Sequence, residues 1–145
     1  MRRTGFLALA AALACQAPAG PERQRPPAPA PPASARAALV VRDAQAAAAA
    51  PVVQLAGLDR FQVDLACSGL ADPGPFHVDV TSPRGLLYAQ LPATLQLDAQ
   101  GNGTASATLP VGGTPIETYR MVGTWQFALK GGSGAPLATA AIDLQ

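Results

Sequence analysis

Strict two-residue alternation governs the later part of the chain, and it restricts the fold more than any other feature. Phe61, Val63, Leu65 and Cys67 alternate with Gln62, Asp64, Ala66 and Ser68. Phe76, Val78 and Val80 alternate with His77, Asp79 and Thr81, and Trp125, Phe127 and Leu129 with Thr124, Gln126 and Ala128. Ala138, Ala140, Ile142 and Leu144 alternate with Thr139, Ala141 and Asp143. A period of two sends successive side chains to opposite faces, so each segment reads as a strand with one buried face. Further strands are expected at 86–90, 95–98 and 104–109, with 52–55 as an opening edge strand. Turn chemistry separates them: Ser82-Pro83-Arg84-Gly85, the stretch from Asp98 to Gly103, and Lys130 to Pro136. About seven to eight short strands with no helical period predict an all-β antiparallel sandwich over residues 52–145.

The first 51 residues read differently. Met1-Arg2-Arg3 followed by the apolar run from Gly5 to Ala14 is a short basic start and a hydrophobic stretch, the pattern of an export signal over residues 1–14. It is too short to span a bilayer, which takes about 20 apolar residues. Seven of the 15 prolines fall between Pro18 and Pro32. Proline fixes φ and removes a donor, so this stretch is expected to be a disordered, extended Pro/Ala-rich tether. Ala37 to Ala50 is alanine-rich and reads either as a short helix or as a strand at Leu39-Val40-Val41 before a loose linker. Pro51 ends any helix there. Residues 15–51 are therefore read together as the N-terminus and tether.

Composition narrows the function classes. From Val52 onward four basic residues (Arg60, Arg84, Arg120, Lys130) stand against seven acidic ones, a net charge of −3. That balance excludes a phosphate-backbone binder, so no nucleic acid partner is expected. Two cysteines exclude a disulfide-rich scaffold, and one histidine excludes a multi-histidine metal site; no metal and no cofactor are expected.

Two resemblances add to this reading. Ala12-Leu13-Ala14-Cys15 resembles a bacterial lipoprotein signal, in which the cysteine becomes the first mature residue and is lipidated. The match departs from the family at Ala12, where leucine is preferred, and Ala12-x-Ala14 and Ala17-x-Ala19 also fit ordinary signal cleavage. The resemblance implies lipid attachment at Cys15 and a membrane partner through that lipid. Gln16 implies the outer membrane of a Gram-negative bacterium, facing the periplasm or the cell surface. The later part resembles bacterial Ig-like domains of envelope proteins. The residues that carry it are Asp79-Val80-Thr81-Ser82-Pro83-Arg84-Gly85, Asp98-x-x-Gly101, Leu109-Pro110 and Gly123-Thr124-Trp125-Gln126-Phe127. It implies that Trp125 lies between the sheets. It departs from antibody domains because Cys67 has no partner cysteine on the Trp125 strand.

The chemistry-bearing residues are sparse. Cys67 on an inward face reads as a small buried hydrophobe; a bond to Cys15 is the rival, available only without lipid. His77 alternates outward and reads as a surface side chain. Asp98 with Gly101 and Asn102 reads as a hairpin turn, since a calcium loop needs repeated acidic ligands. No G-x-S-x-G elbow or catalytic constellation is present. The loop Val111 to Met121 carries Ile116, Tyr119, Arg120 and Met121, residue types enriched at interfaces, and is the candidate interaction loop. A purely structural role is its alternative, with Ile116 and Tyr119 capping the open end of the core. The expected function is a lipid-anchored, non-catalytic protein that binds another envelope component, by loop or by exposed edge strand. The rival is an exported sandwich that binds carbohydrate or another small ligand, with Tyr88 and Tyr119 as its outward aromatics.

Overall fold

A computed structural model describes residues 35–71 and 74–145. The eight strands are β1 (Arg36–Asp43), β2 (Val52–Val53), β3 (Arg60–Ser68), β4 (Phe76–Thr81), β5 (Leu87–Ala93), β6 (Gly103–Pro110), β7 (Gly123–Lys130) and β8 (Pro136–Leu144). A one-turn helix α1 (Pro115–Thr118) lies between β6 and β7. The strands form two sheets, one ordered β1-β3-β6 and the other β2-β8-β7-β4-β5. Early strands divide between the sheets and β7 pairs with both β4 and β8, which makes the domain an Ig-like β-sandwich.

Alternation decides which side chains fill the space between the sheets. Phe61, Val63 and Leu65 from one sheet meet Val78, Val80, Trp125, Phe127, Leu129, Ile142 and Leu144 from the other, all buried. Phe61 and Phe127 lock the sheets together edge to face, with ring centroids 6.0 Å apart at 76°. Each large aliphatic or aromatic side chain removed from water there contributes about 1.5–3 kcal/mol. Trp125 occupies the inter-sheet core that the sequence resemblance implies, with no exposed surface.

The structure departs from the sequence expectations in three places. The sandwich begins before residue 52, because β1 pairs along its whole length with β3 and buries Leu39 and Val41. Alanine's helix propensity is a weak preference, and the two-residue spacing of Leu39 and Val41 against the β3 edge overrides it. Second, residues 95–98 form no strand. Leu95 is buried, but the chain is crossing there from β5 in one sheet to β6 in the other and makes no ladder. Third, the opening strand β2 pairs parallel to β8, Val52 opposite Asp143, in an otherwise antiparallel fold.

Register gives the sandwich two distinct poles. The chain enters β1 at Arg36, opposite Ser68, and Cys67 stands opposite Gly103; Ala37, Cys67 and Leu137 border one shallow cavity at that pole. The other pole carries the end of β6 at Pro110, opposite Arg60, and the start of β7 at Gly123, opposite Leu144. The β6–β7 loop therefore sits at the pole away from the first strand residue. The export signal, Cys15 and the tether up to residue 34 lie outside the described residues.

Candidate functional site

The β6–β7 loop is tied down at nearly every residue. Val111 is buried, and the amides of Val111 and Gly112 both donate to the Asp59 carbonyl at 2.8 Å. Thr114 caps α1: its hydroxyl accepts from the Ile116 amide at 3.3 Å and donates to the Val111 carbonyl at 2.7 Å. Pro115 takes the first helical position, where its missing N–H is no loss. Glu117 reaches back to accept from the Gly113 amide at 2.7 Å, a variant of the capping box. Thr114-Pro115-Ile116-Glu117 is thus a helix-start signature that the sequence reading passed over.

Ile116 closes the core with no exposed surface. The chain then doubles back. The Tyr119 amide donates to the Pro115 carbonyl at 2.9 Å, Arg120 to Glu117 at 3.1 Å and Met121 to Ile116 at 2.9 Å. Trp125 fixes the far side, its indole N–H donating to the Met121 carbonyl at 3.0 Å. Arg120 stands at φ +49, a left-handed conformation that non-glycine residues seldom adopt. On this rigid frame Tyr119 is 75% exposed and Val122 50% exposed.

The four residues singled out in the sequence therefore separate. Ile116 belongs to the frame and is inaccessible. Met121 is half-buried, while Tyr119 and Arg120 project outward. Tyr119 does not help cap the core, because the short helix turns its side chain away once Ile116 has filled the opening.

A second segment completes the surface. The β4–β5 turn is closed by Ser82, whose amide and hydroxyl both donate to the Leu86 carbonyl, at 2.9 and 3.1 Å. Pairing of β4 with β7, Thr81 opposite Gln126, carries this turn alongside the loop. Gly123 permits the close approach: at φ +117, a Cβ there would meet the Pro83 ring at 3.0 Å. Pro83, Arg84, Tyr119 and Met121 line a cleft of about 430 Å³ between the two segments. On the other side of the loop, Arg120 and Val122 face Gln54, Ala56 and Gln145 across a cleft of about 340 Å³. Leu86, 66% exposed, and Leu87, 58% exposed, extend the apolar surface. Sequence reasoning did not join Pro83, Arg84 and Leu86 to the loop, because strand pairing brings them there from positions distant in sequence; Val122 directly follows the loop and was left out of it.

Ion pairs occupy only part of the basic side chains, and one of them, Arg60 with Asp59, lies at this pole. Arg42 pairs with Asp64 at 3.0 Å, Lys130 with Asp79 at 2.7 Å and Arg60 with Asp59 at 3.7 Å. Arg84 and Arg120 at this pole, and Arg36 at the other, have no ion pair among the described residues.

The other sequence candidates are absorbed by structure. Cys67 is a free, buried thiol, and burial pushes its pKa up, away from the reactive thiolate. His77 is half-buried rather than fully solvated, its Nε2 3.5 Å from Asp79. Asp79 is nearly buried on the outer face of its sheet; the hydrogen bond from Lys130 outweighs its burial and, with Gln90, holds the carboxyl below its ordinary range. Asp98 closes a turn, not a hairpin, since no strand directly precedes it: its Oδ1 accepts from the Gln100 and Asn102 amides at 2.9 Å each. The backbone hydrogen bond from Asn102 leads the causes that lower its pKa. Tyr88 packs edge-on against Trp125, ring centroids 5.2 Å apart, which leaves Tyr119 as the strongly exposed aromatic of the described residues. No group of three or more His, Cys, Asp and Glu among the described residues could hold a metal ion. No described helix is long and apolar enough to cross a membrane.

Comparison with known proteins adds a structural neighbour. The chain is similar to an immunoglobulin-like protein from Pseudomonas aeruginosa, whose crystal structure aligns with a TM-score of 0.47 at 17% identity. The alignment covers 79% of this chain and 98% of that one. No protein-family model and no curated protein matches the chain.

Proposed function

We propose that this chain is an exported, non-catalytic binding module, anchored by lipid at Cys15, that presents its β6–β7 pole to another protein of the bacterial envelope. The observation that carries the reading is the pole itself. Tyr119, Arg120 and Val122 are exposed on a loop whose every turn is hydrogen-bonded, beside a second exposed apolar turn. A rigid frame loses little conformational entropy on binding, and Tyr and Arg are enriched among binding hot spots. The surface lies at the opposite pole from Arg36, the first residue of β1. The basic start, apolar run and Cys15 support export and anchoring; two or more acyl chains hold a protein stably on a membrane. The intended location is the outer membrane, facing the periplasm or the cell surface.

The test is site-specific photo-crosslinking in cells of the native host, with the crosslinker at Tyr119 and, separately, at Thr108 on the exposed face of β6. A discrete protein adduct through Tyr119 and none through Thr108 is expected. Adducts through Thr108 alone would move binding to the uncharged edge strand β6 and discard the loop. Intact mass of the protein from the membrane fraction tests the anchor: a chain starting at Cys15 with added acyl mass is expected, and an unmodified chain removes it.

A further inference from the structure

The charge pattern of this pole says what kind of surface it meets. We infer that the cleft between the β4–β5 turn and the β6–β7 loop takes a carboxylate-bearing side chain of a partner polypeptide set beside an apolar one. This inference rests on the proposed binding role of the pole and names the chemistry of its partner.

Three observations lead to it. Arg84 and Arg120 stand on either side of Tyr119, each lining a cleft, and neither has an ion pair among the described residues. Glu117, the acidic side chain of the loop, accepts from the Gly113 amide and lines the cleft of Arg120, whereas the cleft of Arg84 has no carboxylate in its lining. In the larger cleft, about 430 Å³ in volume, the guanidinium of Arg84 is the charged group, and Pro83, Tyr119 and Met121 supply the walls. Such a site fits one apolar side chain against the tyrosine ring and methionine, with a neighbouring carboxylate bidentate on the guanidinium.

An anionic lipid surface would offer related chemistry, and the charge of the domain argues against it. From residue 35 onward six basic side chains stand against eight acidic ones. Attraction to a charged bilayer is a summed, long-range field within a Debye length, and here the sum has the wrong sign. A cleft acts over hydrogen-bond distance and needs the local guanidinium alone.

The experiment is a titration of the isotopically labelled full chain followed by amide NMR. The probes are a blocked peptide carrying Glu-Phe-Glu, its Lys-Phe-Lys counterpart, and vesicles of phosphatidylglycerol. The acidic peptide is expected to shift the amides of Arg84, Tyr119, Arg120 and Met121. Its affinity should fall about fivefold in Arg84→Gln, the loss of one solvent-accessible charge-assisted contact. Arg84→Lys should recover part of that loss, and raising salt should mimic Arg84→Gln. Silence of those amides with the acidic peptide, equal shifts with the lysine peptide, or shifts produced by the vesicles instead would each overturn the inference. A protein adduct through Tyr119 in cells, alongside silent acidic peptides, would leave the binding pole standing and remove the acidic partner alone.

Discussion

The outer face of the five-stranded sheet and the β6–β7 pole treat their polar groups in opposite ways. On the sheet, Asp79 is held by Lys130 at 2.7 Å and by the Gln90 amide at 2.9 Å, with His77 alongside. At the pole, Arg84 and Arg120 face solvent without an ion pair, beside exposed Tyr119 and Leu86. Both regions carry charged side chains on strands or loops that the core positions. One uses them to complete itself; the other leaves them for something else. Satisfied polar clusters stabilise a fold, whereas exposed, unpaired groups on rigid loops are the usual material of recognition. If that contrast is right, substitutions in the first region should be read in stability, and those in the second in binding.

The largest effect separates frame from surface inside the loop itself. Ile116→Ala removes a fully buried side chain from the end of the core. It should destabilise the domain by about 2–5 kcal/mol. Tyr119→Ala, three residues on, should change stability by no more than about 0.5 kcal/mol. Urea unfolding of the two variants decides the point; comparable losses would mean that Tyr119 is part of the frame after all.

The next effect compares the charges directly. Lys130→Met leaves the Asp79 carboxylate nearly buried without its strongest partner and should cost about 1–3 kcal/mol. Arg84→Ala should fall within about 0.5 kcal/mol of the parent. The pairing on the sheet also predicts a pH dependence. Asp79 is lowered chiefly by its hydrogen bond from Lys130. Asp64 is lowered too: burial is the largest influence and pushes its pKa up, but hydrogen bonds from Arg42, Gln62 and Ser106 together outweigh it. A carboxyl whose pKa is lower in the folded state stabilises fully above its unfolded value of about 4, and that stability is lost as pH falls through the folded value. Stability should therefore decline below about pH 4, and the decline should be shallower in Asp79→Asn. An unchanged acid limb in that variant would show that Asp79 contributes nothing to the linkage.

These two regions were unequally legible in the sequence. The strands of the sheet were readable because burial alternates locally: Val78 and Val80 inward, His77 and Asp79 outward, with no knowledge of their neighbours required. The pole was half readable. Tyr119 and Arg120 stood out by residue type, but Arg84 and Leu86 reach them only through the pairing of β4 with β7, and sequence carries no direct trace of that pairing. Whether an arginine lacks a partner is likewise a property of three-dimensional placement. Thr114 and Glu117 are the opposite case, a helix-start signal present in the sequence and overlooked there. Strand β1 was obscured because its Leu39 and Val41 sit in an alanine-rich stretch whose local preference points to helix. Tertiary pairing with β3, not propensity, decides its conformation.

A smaller effect tests how tightly the two loop segments are joined. Gly123 at φ +117 lies against Pro83, so Gly123→Ala meets both backbone strain and a crowded contact. It should destabilise by about 1–3 kcal/mol and should shift the amides of the β4–β5 turn as well as those of the loop. Thr114→Ala removes the helix cap and should cost about 1 kcal/mol, with its shifts confined to the loop. If Gly123→Ala leaves the turn amides unmoved, the turn and the loop are not one surface, and the acidic-partner cleft between them loses its physical basis.

The one predicted effect of opposite sign is the most informative about purpose. Arg120 occupies a left-handed conformation at φ +49 that disfavours any residue with a Cβ by about 1–2 kcal/mol. Glycine adopts it freely but loses about 0.4–1 kcal/mol through the greater entropy of its unfolded chain. Arg120→Gly should therefore leave stability unchanged or raise it by up to about 1.6 kcal/mol, as read by urea unfolding. The backbone alone would favour glycine there, and Arg120 makes no ion pair that would offset the preference. The same variant should weaken binding of the acidic peptide while the domain stays intact. Loss of stability in Arg120→Gly, with peptide binding unchanged, would place Arg120 with Ile116 in the frame and confine recognition to the cleft of Arg84, which Arg120 does not line.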